Sequence, residues 1–156
     1  MTFRNGFWAG LIVAVGWAVY LALLWQSERQ VELHSKHLLE QIEARDWKAV
    51  AAFVDKSYQD RWGNDRPRLL ERLPQVFHAL PKARIVVAQP AIRSGEGRGY
   101  WTANITIQSS GEFADDITSR VNSLDKPFEF EWKRGAWPWN WTLVSVRNSA
   151  LEIPSN

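Results

Sequence analysis

Few side chains in this 156-residue chain have the types and spacing that chemistry needs. His34, His37 and Glu40 stand at i, i+3 and i+6, which on a helix puts two imidazoles and a carboxylate near one face, as a metal site would require. Three ligands strung over two turns do not readily converge on one ion. The spacing therefore reads as a solvated helix face, and no metal is expected. His78 stands alone near the end of an apolar helical pattern and reads as a core-edge or surface residue. Ser94-Gly-Glu-Gly-Arg-Gly99 has glycine spacing like that of a dinucleotide loop, but cradling a phosphate needs a helix N-terminus after the glycines. Strand-like sequence follows instead, so a turn between strands is the better account. The absence of cysteine excludes a thiol nucleophile, a disulfide framework and a Cys-ligated zinc site. No serine stands at a recognisable elbow with His and acid partners, there is no P-loop, and no cofactor is expected.

The elements that would position any site follow from periodicity. Leu38, Leu39, Ile42, Trp47, Val50, Phe53 and Val54 keep a helical spacing, with a break near Ala44-Arg45-Asp46. Asp46 is placed to cap a short helix starting at Trp47, and Asp65 to cap a third, with Pro67 in its first turn. Pro74 falls inside that third pattern and is expected to kink or divide it. The period then changes to two. Arg84–Gln89, Tyr100–Ser109, Phe128–Lys133 and Trp141–Arg147 read as strands, with Trp101, Ala103, Ile105, Ile107, Phe128, Phe130 and Trp132 facing inward. Gly111–Lys126 is patterned weakly enough to be a loop or a short helix. Helices first and antiparallel strands after imply an α+β domain, helices packed on one curved, mostly antiparallel, cone-like sheet.

Ahead of the domain, Phe7–Trp25 (FWAGLIVAVGWAVYLALLW) contains no charged residue, histidine or proline. About nineteen residues at roughly 1.5 Å each give about 28 Å of helix, close to the hydrocarbon thickness of a bilayer. Trp8 and Trp25 lie near its ends, where amphipathic rings favour the membrane interface. Bulky and polar residues fill the positions where a cleavage site needs small ones, so an uncleaved transmembrane signal-anchor over 7–26 is expected after a short tail, 1–6. Arg4 and the α-amino group favour a cytoplasmic N-terminus, with the domain on the outer or periplasmic side. Gly6, Gly10, Ala14, Ala18 and Ala22 form a four-step row that could let two helices pack closely. No Gly or Pro lies between Trp17 and Trp62, so the anchor is expected to run on as helix into a stalk over 27–36.

His37–Trp62, HLLEQIEARDWKAVAAFVDKSYQDRW, resembles the opening helix pair of the nuclear transport factor 2-like superfamily. Phe128–Gly135 followed by Trp141–Arg147 is similar to that family's last hairpin, and the resemblance spans about residues 35–150. It implies a domain over 37–150 ahead of a tail, 151–156: a cone-shaped sheet around the first helix, often with a pocket and often dimerising. Enzymatic members resembling ketosteroid isomerase use a Tyr and two carboxylic acids in an apolar pocket. Aligned on the Arg45-Asp46 turn, the family's first-helix Tyr falls at Leu38, which cannot donate. Asp60 falls near the base carboxylate only with an offset, and Trp62 competes for that position. Glu129 and Glu131 alternate away from the core. Asp60 is thus a weak catalytic candidate.

Ten tryptophans point to an aromatic core, which Trp132, Trp139 and Trp141 are expected to fill. Trp137-Pro138-Trp139 cannot all be buried at one tight turn, so an aromatic edge is expected to remain exposed. Tyr58, Trp62, Tyr100 and Trp101 are the candidates for a pocket rim. Residues 56–98 hold nine bases and four acids, which reads as a solvated face, and no nucleic-acid motif accompanies it. The expected partners are the lipid bilayer and a second copy or a neighbouring membrane protein. The favoured function is a membrane-anchored interaction or small-ligand-binding module without turnover. The competing reading is a membrane-tethered isomerase or dehydratase with Asp60 as base.

Overall fold

In the computed structural model, helical periodicity before residue 80 becomes four helices, and the later part of the chain four strands and a fifth helix, among the described residues. The backbone is described at residues 3–24, 26–111 and 114–150, and side chains at 10–22, 26–111 and 114–150. Helix α1, Phe3–Leu24, carries Arg4 and Asn5 in its first turn and no charged residue after them. Its described side chains pack on little: Ile12 and Val13 are each 69 % exposed. Among the described residues no single helix is long and apolar enough to cross a membrane, although Gly10–Ala22 and Ser27–Ala44 together pass by length and composition as a pair bent by 66°. Gly10, Ala14, Ala18 and Ala22 lie exposed on α1. The side chains of Gly6, Trp8 and Trp25 lie outside the described residues.

The expected continuous helix is not formed. Gln26 takes an extended ψ of 130° and α2, Ser27–Ala44, starts afresh. The stalk is corrected with it, because Gln30, Val31 and Ser35 of that segment are buried together with Leu38, Leu39 and Ile42. Counting Ser35 as a face residue, positions 31, 35, 38 and 42 form one stripe at helical spacing, and that stripe lies on the sheet. The domain therefore begins at Ser27. Helix α2 ends at Arg45, whose left-handed φ of 59° turns the chain. Asp46 then caps α3, Trp47–Phe53, accepting from the Ala49 N–H at 3.0 Å. Asp65 caps α4, Arg66–His78, accepting from the Arg68 N–H at 3.0 Å. Pro74 does not divide α4.

The sheet is a meander in the order β1-β2-β3-β4, all pairs antiparallel. Its strands are β1, Arg84–Gly95; β2, Arg98–Gln108; β3, Phe128–Arg134; and β4, Trp141–Asn148. Strand β1 is longer than its apolar run because it continues past an irregularity between Ala88 and Ala91, where Gln89 has a φ of 52°. Such a bulge increases local twist and curves the sheet. The weakly patterned connection contains α5, Ala114–Asn122. Asn122 ties it to the sheet: its Oδ1 accepts from the Ile107 N–H at 2.8 Å and its Nδ2 donates to the Ile107 carbonyl at 3.0 Å.

The main core lies between α2 and the concave sheet face. Val31, Leu38 and Ile42 meet Trp101, Ala103, Phe130, Trp132, Trp141 and Leu143 there. Leu80, Ile107 and Ala114 make a smaller cluster at the far end. Trp132 and Trp141 are buried as expected, but Trp139 is exposed. It sits on the β3–β4 turn, beyond the last paired residues, where it stacks on Trp137.

Candidate functional site

Between the helices and the sheet lies a largely apolar cavity of about 260 Å³. Leu38 and Leu39 of α2, Leu69 and Leu73 of α4, and Ile105 and Phe130 of the sheet line it. Its polar groups come from one short segment, Tyr58, Asp60 and Asn64. Chain direction explains their position. After α3, the Asp55 N–H donates to the Leu143 carbonyl at 2.9 Å and the Gln59 N–H to the Val144 carbonyl at 3.0 Å, pinning the segment along β4. Gly63 then turns the chain with a φ of 75° into α4. Arg66 secures the start of that helix by donating to the carbonyls of Val54 at 3.1 Å and Ala51 at 2.9 Å.

Asp60 organises this segment. Its Oδ1 accepts from the backbone N–H groups of Trp62 and Asn64, both at 2.9 Å. Its Oδ2 accepts from Tyr58 Oη at 3.2 Å and from Asn64 Nδ2 at 2.9 Å. Arg72 closes the cluster by donating to Asn64 Oδ1 at 2.6 Å. An ionised carboxylate offers about four lone-pair sites, and all four are engaged here. Burial, and after it the neighbouring Asp60 charge, hold the Tyr58 hydroxyl well above the usual tyrosine range. Tyr58 is therefore a fixed neutral donor. The arrangement braces a loop and leaves no carboxylate lone pair aimed at a substrate proton.

The four expected rim residues do not come together. Tyr58 and Trp62 line the cavity. Tyr100 and Trp101 are adjacent in β2, so the pleat sends them to opposite faces. Tyr100 lies on the outer face with the Arg93 guanidinium 5.5 Å above its ring. Trp101 is buried against Phe130 and lines a different groove, about 310 Å³, between α2 and β1. That groove also carries Glu32, Lys36, Glu40 and Glu43, with Glu43 accepting from the Ile85 N–H. Glu129 and Glu131 do face outward, where Arg93, Arg98 and Arg147 pair with them.

The histidines are likewise separated. His34 is half-buried, its Nδ1 2.8 Å from the Gln30 carbonyl oxygen and its ring edge-on to Trp132 and Phe53, and burial lowers its pKa. His37, Glu40 and His78 are exposed. Among the described residues no group of three acids or histidines could hold a metal. Asn64 and Arg72 were not singled out from the sequence. The one signal for them is the Asp-x-x-Gly-Asn spacing of Asp60, Gly63 and Asn64, which suits a side-chain-capped turn.

A four-stranded meander curved around one long helix, with an apolar cavity between, is the NTF2-like, cystatin-like architecture. Solved structures match it on that basis. An NTF2-like protein with a cystatin-like fold from Novosphingobium aromaticivorans superposes with a TM-score of 0.61 at 10% identity, covering 89% of this chain and 97% of that one. An NTF2-like protein of unknown function from Pseudomonas putida gives 0.60 at 8% identity, covering 78% and 84%. Bdellovibrio bacteriovorus Bd1075 gives 0.59 at 7% identity over 77% of this chain, which spans only 39% of that longer one. Neither a family model nor a curated protein matches the sequence. Identities this low establish the fold and nothing about activity.

Proposed function

We propose that this chain is a single-pass, membrane-anchored NTF2-like domain that binds a small apolar ligand in the cavity between α2, α4 and the sheet, without turning it over. The observation that carries the binding reading is the pairing of an apolar wall with polar groups that satisfy one another. Such a site favours ligands by desolvation and shape and supplies no spare base. Its volume is at the small end for a ligand site, which suits a short acyl chain or a single aromatic ring. The membrane reading rests on the uncharged run Phe7–Trp25 and on the exposure of Ile12, Val13, Trp17 and Val19 in α1. An apolar surface of that kind needs a cover in water. The N-terminus is placed on the cytoplasmic side on the strength of Arg4.

The test is displacement of an environment-sensitive dye from the full chain in detergent micelles by short-chain fatty acids and monocyclic aromatics. Leu73→Trp should fill the cavity and weaken binding at least about tenfold, as loss of a buried apolar contact surface predicts. Binding unaffected by that substitution would remove the cavity from the reading. Turnover of any of these compounds that disappears in Asp60→Asn would replace it with the enzymatic one.

A further inference from the structure

The two ends of the domain are chemically different, and chain connectivity says which one faces the anchor. Gly99 lies against Val31 and Trp141, the Trp132 ring is 5.8 Å from His34, and the Arg134 N–H donates to the Gly97 carbonyl at 2.8 Å. The β1–β2 and β3–β4 turns are therefore at the end of the domain where α2 starts. The α2 C-terminus is at the opposite end, where Arg45 donates to the Leu80 carbonyl at 2.9 Å. Because Ser27 follows α1 after two residues, a bilayer holding α1 lies beside the turns.

The β3–β4 turn, residues 135–140, carries two exposed indoles. Trp137 and Trp139 stack with centroids 5.4 Å apart and planes 13° from parallel, and they remain 60 % and 49 % exposed. Their neighbour Trp141 is buried, its Nε1 donating to the Pro138 carbonyl at 2.9 Å. The turn is closed twice: the Gly135 N–H donates to the Asn140 carbonyl at 2.6 Å, and the Asn140 N–H to the Trp137 carbonyl at 3.0 Å. The rings are thus presented on a fixed backbone. Exposed Lys133 and Arg134 precede them. Arg134 makes no ion pair among the described residues, Lys133 lies near enough to Asp55 to lower its pKa, and Arg98 across the sheet pairs with Glu131. Glu96 is the acid at the neighbouring turn.

We propose that the Trp137–Trp139 turn is a membrane-docking tip: both indoles enter the bilayer interface while Lys133 and Arg134 face lipid phosphates. The inference rests on the reading of α1 as an anchor. Indoles favour the headgroup region, which accepts both an apolar ring and an N–H donor. Basic side chains near an anionic surface add attraction. With α1 as one attachment and the turn as a second, the domain is held in one orientation instead of swinging about Gln26.

The chain lacks cysteine, so Ala136→Cys can carry a single attached label, excited at wavelengths where the tryptophans do not absorb, with Ser110→Cys at the opposite end as the reference. The full chain is reconstituted into vesicles of phosphatidylcholine and phosphatidylglycerol containing brominated acyl chains. The label at 136 should be quenched at least about twofold more than the label at 110, as interfacial insertion requires. Trp137→Ser with Trp139→Ser should abolish that difference, and Lys133→Gln with Arg134→Gln should reduce it in anionic vesicles, while both variants stay in the membrane after carbonate washing. Equal quenching at the two positions in a carbonate-resistant chain would overturn the docking tip and leave the anchor standing. Quenching at 136 that survives the double Trp substitution would also overturn it. Release of the chain by carbonate would instead overturn the anchor reading, and the tip with it.

Discussion

At the scale of single residues, the buried carboxylate at Asp60 does its work through hydrogen bonds. Replacing it with Ala would strand Tyr58 Oη, Asn64 Nδ2 and two backbone N–H groups. Leaving such donors unsatisfied costs more than a hydrogen bond contributes, so a loss of about 2–4 kcal/mol in urea unfolding is expected. A base without a bracing role would lose far less. Asp55 offers a pH test. Hydrogen bonds from the Ser57 side chain and then its N–H, helped by Thr142 and the Lys133 charge against partial burial, lower its pKa from 3.8 to about 2. A depressed folded-state pKa stabilises the fold above the unfolded value and loses that contribution as pH falls toward 2. The difference in melting temperature between wild type and Asp55→Asn should be fully present at pH 5 and shrink steadily below pH 3.8. A constant difference across that range would rule the linkage out. Ser35 runs the other way: its buried hydroxyl has no hydrogen-bond partner among the described residues. Ser35→Ala should therefore be neutral or stabilising by about 1 kcal/mol in the same unfolding measurement.

At the scale of elements, α2 and the sheet meet most closely at Gly99. A Cβ there would overlap Val31 Cγ2 and sit 3.3 Å from Trp141 Cζ3. The glycine is needed for close approach and not for its backbone angle. Gly99→Ala should cost about 1–3 kcal/mol, the usual range for overpacking a core. Val31→Ala in the same chain should recover part of that by making room, which a double-mutant cycle would read as coupling.

The whole molecule is a domain with an apolar helix joined to it by a short break. If α1 spans a bilayer, charges in its middle are expensive, about 2.5–3.5 kcal/mol each on insertion scales. Val15→Arg with Val19→Arg should then release the chain into the carbonate-soluble fraction, whereas the same pair placed on exposed domain positions should not. The domain itself is a meander of neighbouring strands, so register is set by local turns. Its second half is correspondingly legible in the alternation of the sequence.

What the amino-acid order determined unaided is what depends on near neighbours. Caps at Asp46 and Asp65, the change of period after residue 83 and the inward row Trp101, Ala103, Ile105 and Ile107 all follow from contacts within a few residues. The split of Tyr100 and Trp101 between two faces was also implicit in that alternation. Tertiary structure decided the rest. It made residues 27–36 part of the core, because Val31 and Ser35 are buried in a fold whose first strand begins only at Arg84. It engaged Asp60 on all sides, because Tyr58, Asn64 and Arg72 converge only once the segment is pinned to β4. It also left Trp139 exposed while burying Trp141, since Trp141 is paired in β4 and Trp139 lies on the turn before it. Periodicity reports which side of an element is apolar; only the packed chain supplies what that side meets.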